Sequence, residues 1–404
     1  MASTSTLTTL DNLLKTLYLP GLRCQINNTV PLFSQLYRDE ESVSGKNFTI
    51  GLHAANNQGG GAAAENAALP DPGEEDYRVC VIPQRYVYWR LRLTGQTIRA
   101  TRTSVGAFAN ALEKAVAGCG EAMKRDINRQ LFGTGAATLC LVNGAVTGAA
   151  SITCDNGVSS TVGTTRRIYK DMLIDIWDAA GTTRQAQNIK VSAVSSATVF
   201  TTSENVTVEN NAIVTRAGAK TASGGLEMMG IDLIADSAGA LQSLNPATSG
   251  EEFWTAYERA LGGALTQAAM LTAVDGINTN SGEDPNLIVT TKGGRRAYFD
   301  LFDTQVQFSP QVLRGGWRVL TFAAGSQEIP ILVDDDCPLT NWYFLNTRHL
   351  SVYQMADFDW MDMDGSRLVR VQDRDAYEAV LYIYANLGTD KRNAHGKITG
   401  ATEG

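Results

Sequence analysis

Apolar residues recur along the chain with two periods, and each change of period marks a new segment. Leu7, Leu10, Leu13, Leu14 and Leu17 step by three or four and stop at Pro20 and Gly21, which predicts a short amphipathic helix. From about residue 22 to 50, single apolar residues stand among polar ones, the pattern of an extended arm that needs a neighbour to lie on. Two strand-like runs follow, KNFTIGL and DYRVCVIPQRYVYWRLRL, on either side of NNQGGGAAAENAALPDPG. The stretch between them is too rich in Gly and Ala to build a core, so the three pieces predict a long β-hairpin with a glycine-rich tip.

The strongest helical signal runs from Ser104 to Phe132, where Phe108, Leu112, Val116, Cys119, Met123, Ile127 and Leu131 form one stripe without an intervening proline. Such a helix would be roughly 43 Å long at 1.5 Å per residue. After Gly133 the chain turns to Thr, Ser, Val, Ala and Gly. The runs DMLIDIWDA, NIKVSAVS, ATVFTTS and NAIVTRAG, separated by turn residues, predict a small inserted β-barrel or sandwich. Ser249 and Glu252 have capping-box spacing, and Phe253, Trp254, Tyr257, Leu261, Leu265, Ala268 and Leu271 predict a helix behind them. Strands LIVT, PILVD, NWYFLNT and HLSVYQM, with a helix over TKGGRRAYFDLF, predict an α/β layer about one sheet. The run AYEAVLYIYANL is apolar on both faces and is expected to be buried on both, and the tail from Gly396 is expected to be loose.

Composition narrows the class. A length of 404 residues predicts two or three compact units, and 44% hydrophobic with 19% charged residues is ordinary for a globular chain. The net charge of -8 gives the whole molecule no electrostatic reason to grip nucleic acid, and the basic pairs Arg90/Arg92, Arg166/Arg167, Arg295/Arg296 and Lys391/Arg392 are scattered. Six cysteines without CxxC spacing read as reduced thiols, and neither a secretion signal nor a membrane-length apolar run is present, so the expected compartment is a cytoplasm.

The residues offer little chemistry. Three histidines, His53, His349 and His395, and no GxSxG elbow argue against a hydrolytic triad. No cysteine lies near a histidine at zinc spacing. Asp334, Asp335 and Asp336 cannot all face one point from a strand, and Asp364–Gly365 reads as a tight turn in place of a calcium loop. The expectation is a non-enzyme with no metal and no cofactor.

Taken in order, arm, glycine-tipped hairpin, long helix, β insertion, α/β domain and returning strands resemble the major capsid protein of tailed phages, the Hong Kong 97-type shell fold. The strings LQSLNPATSGEEFW, DPNLIVTTKGGRRAYFDLF, PILVDDDCP, FDWMDMDG and RDAYEAVLYIYANLGTDKRNAHGKITG carry the resemblance. It implies an α+β fold with an N-terminal arm (1–45), an extended loop (46–95), a peripheral domain with the spine helix (96–133 and 366–404), the β insertion standing off as a small domain (134–229) and an axial domain (230–365). It implies self-assembly into pentamers and hexamers of an icosahedral shell around double-stranded DNA. Portal, scaffolding and decoration proteins would be partners, DNA contact would be weak and non-specific, no membrane would be involved, and the place would be the virion after assembly in a host cytoplasm. Leu13, Leu17, Lys46, Arg90, Arg92, Asp334, Asp335, Asp336, Trp360 and Arg392 are the residues assigned to inter-subunit contacts. Lys46 could in principle serve a lysine–asparagine cross-link, but no acceptor or carboxylate is assigned, and no cross-linking is expected. A bacterial nanocompartment shell and a β-rich adhesin are the alternatives; the large insertion speaks against the first and the missing secretion signal against the second.

Overall fold

The computed structural model describes residues 30–39, 47–100, 111–155, 164–301, 311–312, 318–325, 327–362 and 369–404. The predicted N-terminal helix with Leu13 and Leu17, Lys46, the start of the predicted long helix and the Asp364–Gly365 turn lie outside them. The described chain falls into two units, a smaller one from residues 89–122 and 360–381 and a larger one from residues 29–88, 123–359 and 382–404.

The larger unit is built on a mixed seven-stranded sheet. Its order is Tyr257–Ala264, Gly396–Thr402, Trp342–Leu345, Leu287–Thr290, Gln327–Val333, Arg318–Ala324, Gln311–Val312. The first two strands pair in parallel, as do Leu287–Thr290 and Gln327–Val333, while the other neighbours are antiparallel. Leu287–Thr290 is buried at every residue, as a central strand covered on both faces must be. Met270 and Ile277 from helix Gln267–Ser281 and Tyr298 from helix Lys292–Asp300 pack on Phe322, Trp342, Phe344 and Ile398.

Two expectations fail in this sheet. The helix expected from Ser249 is absent, because residues from Tyr257 to Ala264 form an edge strand instead. Gly262 and Gly263 disfavour helix there, and the helix begins at Gln267, where the Thr266 hydroxyl accepts from the Ala269 amide. Glu251 and Glu252 accept from Asn245 and Gly250 amides, so the capping box does not form. Gly282 ends the helix at φ 73, a left-handed position suited to glycine. The tail from Gly396, expected to be loose, is an inner strand of the sheet, and so part of the 366–404 segment assigned to a peripheral domain sits among strands assigned to the axial one.

Within residues 134–229 a six-stranded antiparallel sheet runs in the order Thr138–Leu141, Ile213–Arg216, Leu173–Trp177, Arg184–Val194, Val199–Val208, Val146–Thr153. Its two edges meet at an antiparallel bridge between Val142 and Cys154. Sixteen buried residues, among them Ile152, Ile174, Ile176, Phe200 and Val214, fill the space between the strands. The sheet does not stand free of its surroundings. Arg129 at the end of helix Ala111–Gln130 pairs with Glu227 and with Asp126 at 3.0 Å, and Arg216 reaches Asp126 at 3.0 Å. Arg166 and Arg167 donate to carbonyls of Asp335, Asp336 and Cys337. Gly230 passes so close to the Leu131 and Gly133 carbonyls that a Cβ would clash with them.

Helix Ala111–Gln130, about 30 Å long, grows more buried toward its C-terminus: Val116 is exposed, whereas Cys119, Met123 and Ile127 are buried. Strands Asn47–Ala55 and Asp76–Pro83 form the expected hairpin, with Phe48 opposite Ile82 and Leu52 opposite Arg78. Tyr86–Thr94 does not extend it and pairs with Ala376–Thr389. That last strand alternates buried and half-buried residues up to Tyr384 and is buried throughout only from Ala385, so the expectation of two buried faces holds for its end alone.

In the smaller unit Val369–Arg370 pairs antiparallel with Tyr377 and Glu378. The Val371 amide donates to the Ala376 carbonyl and closes the turn between these strands, and the Gly95 amide donates to the Asp375 carbonyl in the same turn.

Candidate functional site

The hairpin leaves several large apolar side chains in solvent. Its base is anchored: Phe48, Cys80 and Ile82 are buried, the Phe48 ring lies 5.4 Å from Tyr353, and the Val81 amide donates to Gln242 at 2.9 Å. Beyond the base, Leu69 is 86%, Tyr77 66% and Val79 54% exposed, and Tyr86 and Tyr88 on the next strand are about half exposed. Five of the twelve exposed large apolar side chains among the described residues therefore fall between Leu69 and Tyr88. A two-stranded ribbon has no second layer to cover Tyr77 and Val79. Alternation in DYRVCVIP could have identified Tyr77 and Val79 beforehand, since they share the strand face opposite buried Cys80 and Ile82.

Beside the hairpin a cavity of about 360 Å³ is lined by Ile50 to Ala54, Phe253, Trp254, His349 and residues 390–393. His349 bridges two carboxylates there, Nδ1 to Asp390 at 2.8 Å and Nε2 to Glu283 at 2.9 Å. Lys391 reaches Glu283 at 2.6 Å, and these hydrogen bonds, first from Lys391 and then from His349, hold the Glu283 carboxyl at about 2. His395 is fully buried and accepts the Asn346 amide on Nδ1, and burial followed by the nearby His349 pushes it down to about 3. It is a packing residue and neutral at ordinary pH.

The residues assigned to contacts separate into two kinds. In the smaller unit Arg90 and Arg92 lie exposed on one strand face and both grip Glu378, at 2.6 and 2.9 Å. Those two guanidinium groups, Arg90 first, hold its carboxyl below the usual range. Two cations on one anion leave one positive charge at the surface. Trp360 is half-buried. In the larger unit Asp335 is partly exposed and pairs with Lys292 at 2.7 Å.

Asp334 and Arg392 overturn their assignment as contact residues, because both are committed inside the subunit. Asp334 is 2% exposed and accepts from Asn128 at 3.1 Å, from the Leu32 amide at 3.2 Å and from the Asp336 amide at 2.9 Å. It thereby holds the start of helix Pro31–Gln35, and Asn128 accepts from Phe33 of the same helix. Burial, with Asp336 beside it, pushes Asp334 up to about 6. Asp336 accepts from Asn128 at 2.8 Å and is half-buried. Arg392 is fully buried and donates to the carbonyls of Leu233, Ile234, Ala238, Gly239 and Trp254. Burial lowers it to about 10 against the opposing pull of Asp236 and Glu258, which leaves it charged at neutral pH. One planar fork thus ties together a segment of the chain that has little regular structure.

Among the described residues no group of three or more His, Cys, Asp or Glu is placed to hold a metal ion, and no helix is long and apolar enough to cross a membrane. No protein-family model and no curated protein matches the sequence. Solved structures do match, over nearly the whole chain. A chain of the Cyanophage A-1(L) capsid asymmetric unit superposes with a TM-score of 0.59 at 13% identity, covering 97% of this chain and 98% of that one. The fold is that of a phage capsid subunit. The capsid of an empty GTA particle, computed with C5 symmetry, matches with a TM-score of 0.55 at 9% identity over 99% of this chain and 100% of that one. A structure from Mycobacterium phage Bobi matches with a TM-score of 0.53 at 9% identity over 98% and 99%. The Hong Kong 97-type α+β architecture expected from the order of segments is therefore the observed one, with strands in the majority.

Proposed function

We propose that the chain is the major capsid protein of a tailed phage, assembling as pentamers and hexamers into an icosahedral shell around double-stranded DNA. The observation that carries this reading is the near-full-length match to the cyanophage capsid chain, in a molecule whose hairpin leaves Tyr77, Val79 and Leu69 uncovered. Copies of the same subunit supply the missing cover, so multiplicity replaces a private core. In this reading residues 46–95 reach over a neighbouring subunit, 134–229 form an inserted barrel, and the seven-stranded sheet lies in the axial domain near the symmetry axes. Arg90, Arg92, Asp335, Asp336 and Trp360 remain candidate contacts between copies, together with Leu13, Leu17 and Lys46. Portal, scaffolding and decoration proteins are the expected other partners, and a subunit with net charge -8 touches packaged DNA only weakly. Shell building needs binding surfaces and no catalytic group. Negative-stain microscopy of the purified chain tests the proposal: closed polyhedral particles or capsomer rings are expected, and a protein that stays monomeric at high concentration would overturn it.

A further inference from the structure

The edges of the six-stranded sheet are joined by little. Val142 and Cys154 form the bridge between them, supported by the Asn143 amide on Thr153 at 2.8 Å and the Asp155 amide on Leu141 at 3.1 Å. Cys140 lies two residues before Val142, so its side chain shares the inner face with those of Val142 and Cys154. All three are buried in the same core. The Cys140 and Cys154 sulfurs are 3.2 Å apart, closer than ordinary van der Waals contact between two sulfurs. Cys80, Cys119 and Cys337 are buried free thiols as well, and the Cys80 and Cys337 sulfurs meet oxygen acceptors of Gln242 and Asn341.

We infer that Cys140 and Cys154 are a disulfide-forming pair that staples the seam of the inserted sheet when the protein meets a low-molecular-weight disulfide oxidant. The sulfurs need to approach by about 1 Å to reach the bond length of a disulfide. The reaction is thiol–disulfide exchange. The Cys140 thiolate attacks oxidised glutathione, one glutathione leaves, and a mixed disulfide forms; the Cys154 thiolate then attacks the Cys140 sulfur and expels the second glutathione. Two protein thiols are oxidised to one disulfide, one oxidised glutathione is reduced to two thiols, and the two protons pass to the departing thiolates. The neighbouring Cys154 thiol and burial hold Cys140 well above the ordinary thiol value, so the closed seam reacts slowly and exchange proceeds through local opening of the Val142–Cys154 bridge. Once formed, the bond closes a loop of about 15 residues and is shielded by the same burial from reductant. In a reducing cytoplasm the pair stays as two thiols; outside it the staple closes.

Sequence makes the test direct, because no Lys or Arg lies between Arg129 and Arg166 and one tryptic peptide carries both cysteines. The full chain, purified reduced, is incubated across a series of glutathione redox ratios, denatured in N-ethylmaleimide, digested and weighed. At oxidising ratios the 130–166 peptide should lack both adducts and be lighter by two hydrogens, while the peptides carrying Cys80, Cys119 and Cys337 stay alkylated. The oxidised chain should melt roughly 5 °C or more above the reduced one, reversibly with reductant. The melting difference should vanish in Cys154→Ala; should that variant not fold, the oxidised and reduced natural chains alone decide. Two adducts on the peptide at every ratio, two separate glutathione adducts, or a disulfide that lowers the melting point would each overturn the inference.

Discussion

The six-stranded sheet of residues 134–229 and the hairpin of residues 47–83 are both antiparallel, yet they meet the burial requirement in opposite ways. The first joins its edges at Val142 and Cys154 and buries sixteen side chains against one another. The second has two strands, anchors Phe48 and Ile82 at its base, and leaves Tyr77, Val79 and Leu69 in solvent. In the proposed shell, private stability and surface for assembly would thus be held by different segments. Substitutions in the closed sheet should cost folding, whereas substitutions on the outer hairpin should cost association.

The largest effect on folding is expected at Phe200, whose truncation to Ala should cost about 3–5 kcal/mol in chemical denaturation, since it is fully buried in the closed core. A cost under about 1 kcal/mol would mean that the insertion lacks a packed core of its own. Arg392→Ala should follow at about 3 kcal/mol, because it removes a fully buried side chain and leaves the Ile234 and Trp254 carbonyls without their buried donor. Arg392→Lys should recover only a minor part, an ammonium lacking the planar fork; full recovery in a urea titration would contradict the assignment.

Asp334 gives a smaller effect with a defined sign. Its folded value of about 6 lies above the unfolded one, so the charged form burdens the fold: stability is fully present below about 4 and lost as pH rises through 6, by roughly 2–3 kcal/mol. His395 works in the other direction, since a folded value of about 3 makes it cost stability as pH falls below about 6.5. The two contributions oppose each other between pH 7 and 4.5, and the difference between the natural chain and Asp334→Asn isolates the first. That difference should shift toward the natural chain at pH 4.5; an unchanged difference would remove Asp334 as a titrating anchor. The smallest effect on folding belongs to the hairpin, where Tyr77→Asp with Val79→Asp should leave the urea midpoint of the isolated subunit unchanged.

The same contrast explains what could be read from the sequence. Segments whose apolar residues face a core were legible: LIVT as a buried strand, the hairpin from its glycine-rich tip, the helical stripe through Met123 and Ile127. The edge strand at Tyr257 was misread because Phe253, Trp254, Tyr257 and Leu261 keep helical spacing until Gly262 and Gly263 break it, and the tail was misread because polar Lys397 and Thr399 conceal an inner strand. Lys397 is buried through its carboxylate partners Asp232, Asp236 and Glu258, distant in sequence. Asp334 and Arg392 failed for the same reason: Asp334 meets Asn128 and Leu32, and Arg392 meets residues 233–254, partners that no local spacing announces. The exposed row of Tyr77 and Val79, by contrast, is legible from the alternation of DYRVCVIP alone.

Sedimentation of the natural chain beside Tyr77→Asp/Val79→Asp, at equal concentration and with equal urea midpoints, tests the central claim most directly. Large closed assemblies are expected from the natural chain and a folded small species from the variant. Assemblies of the same size and yield from both would contradict it.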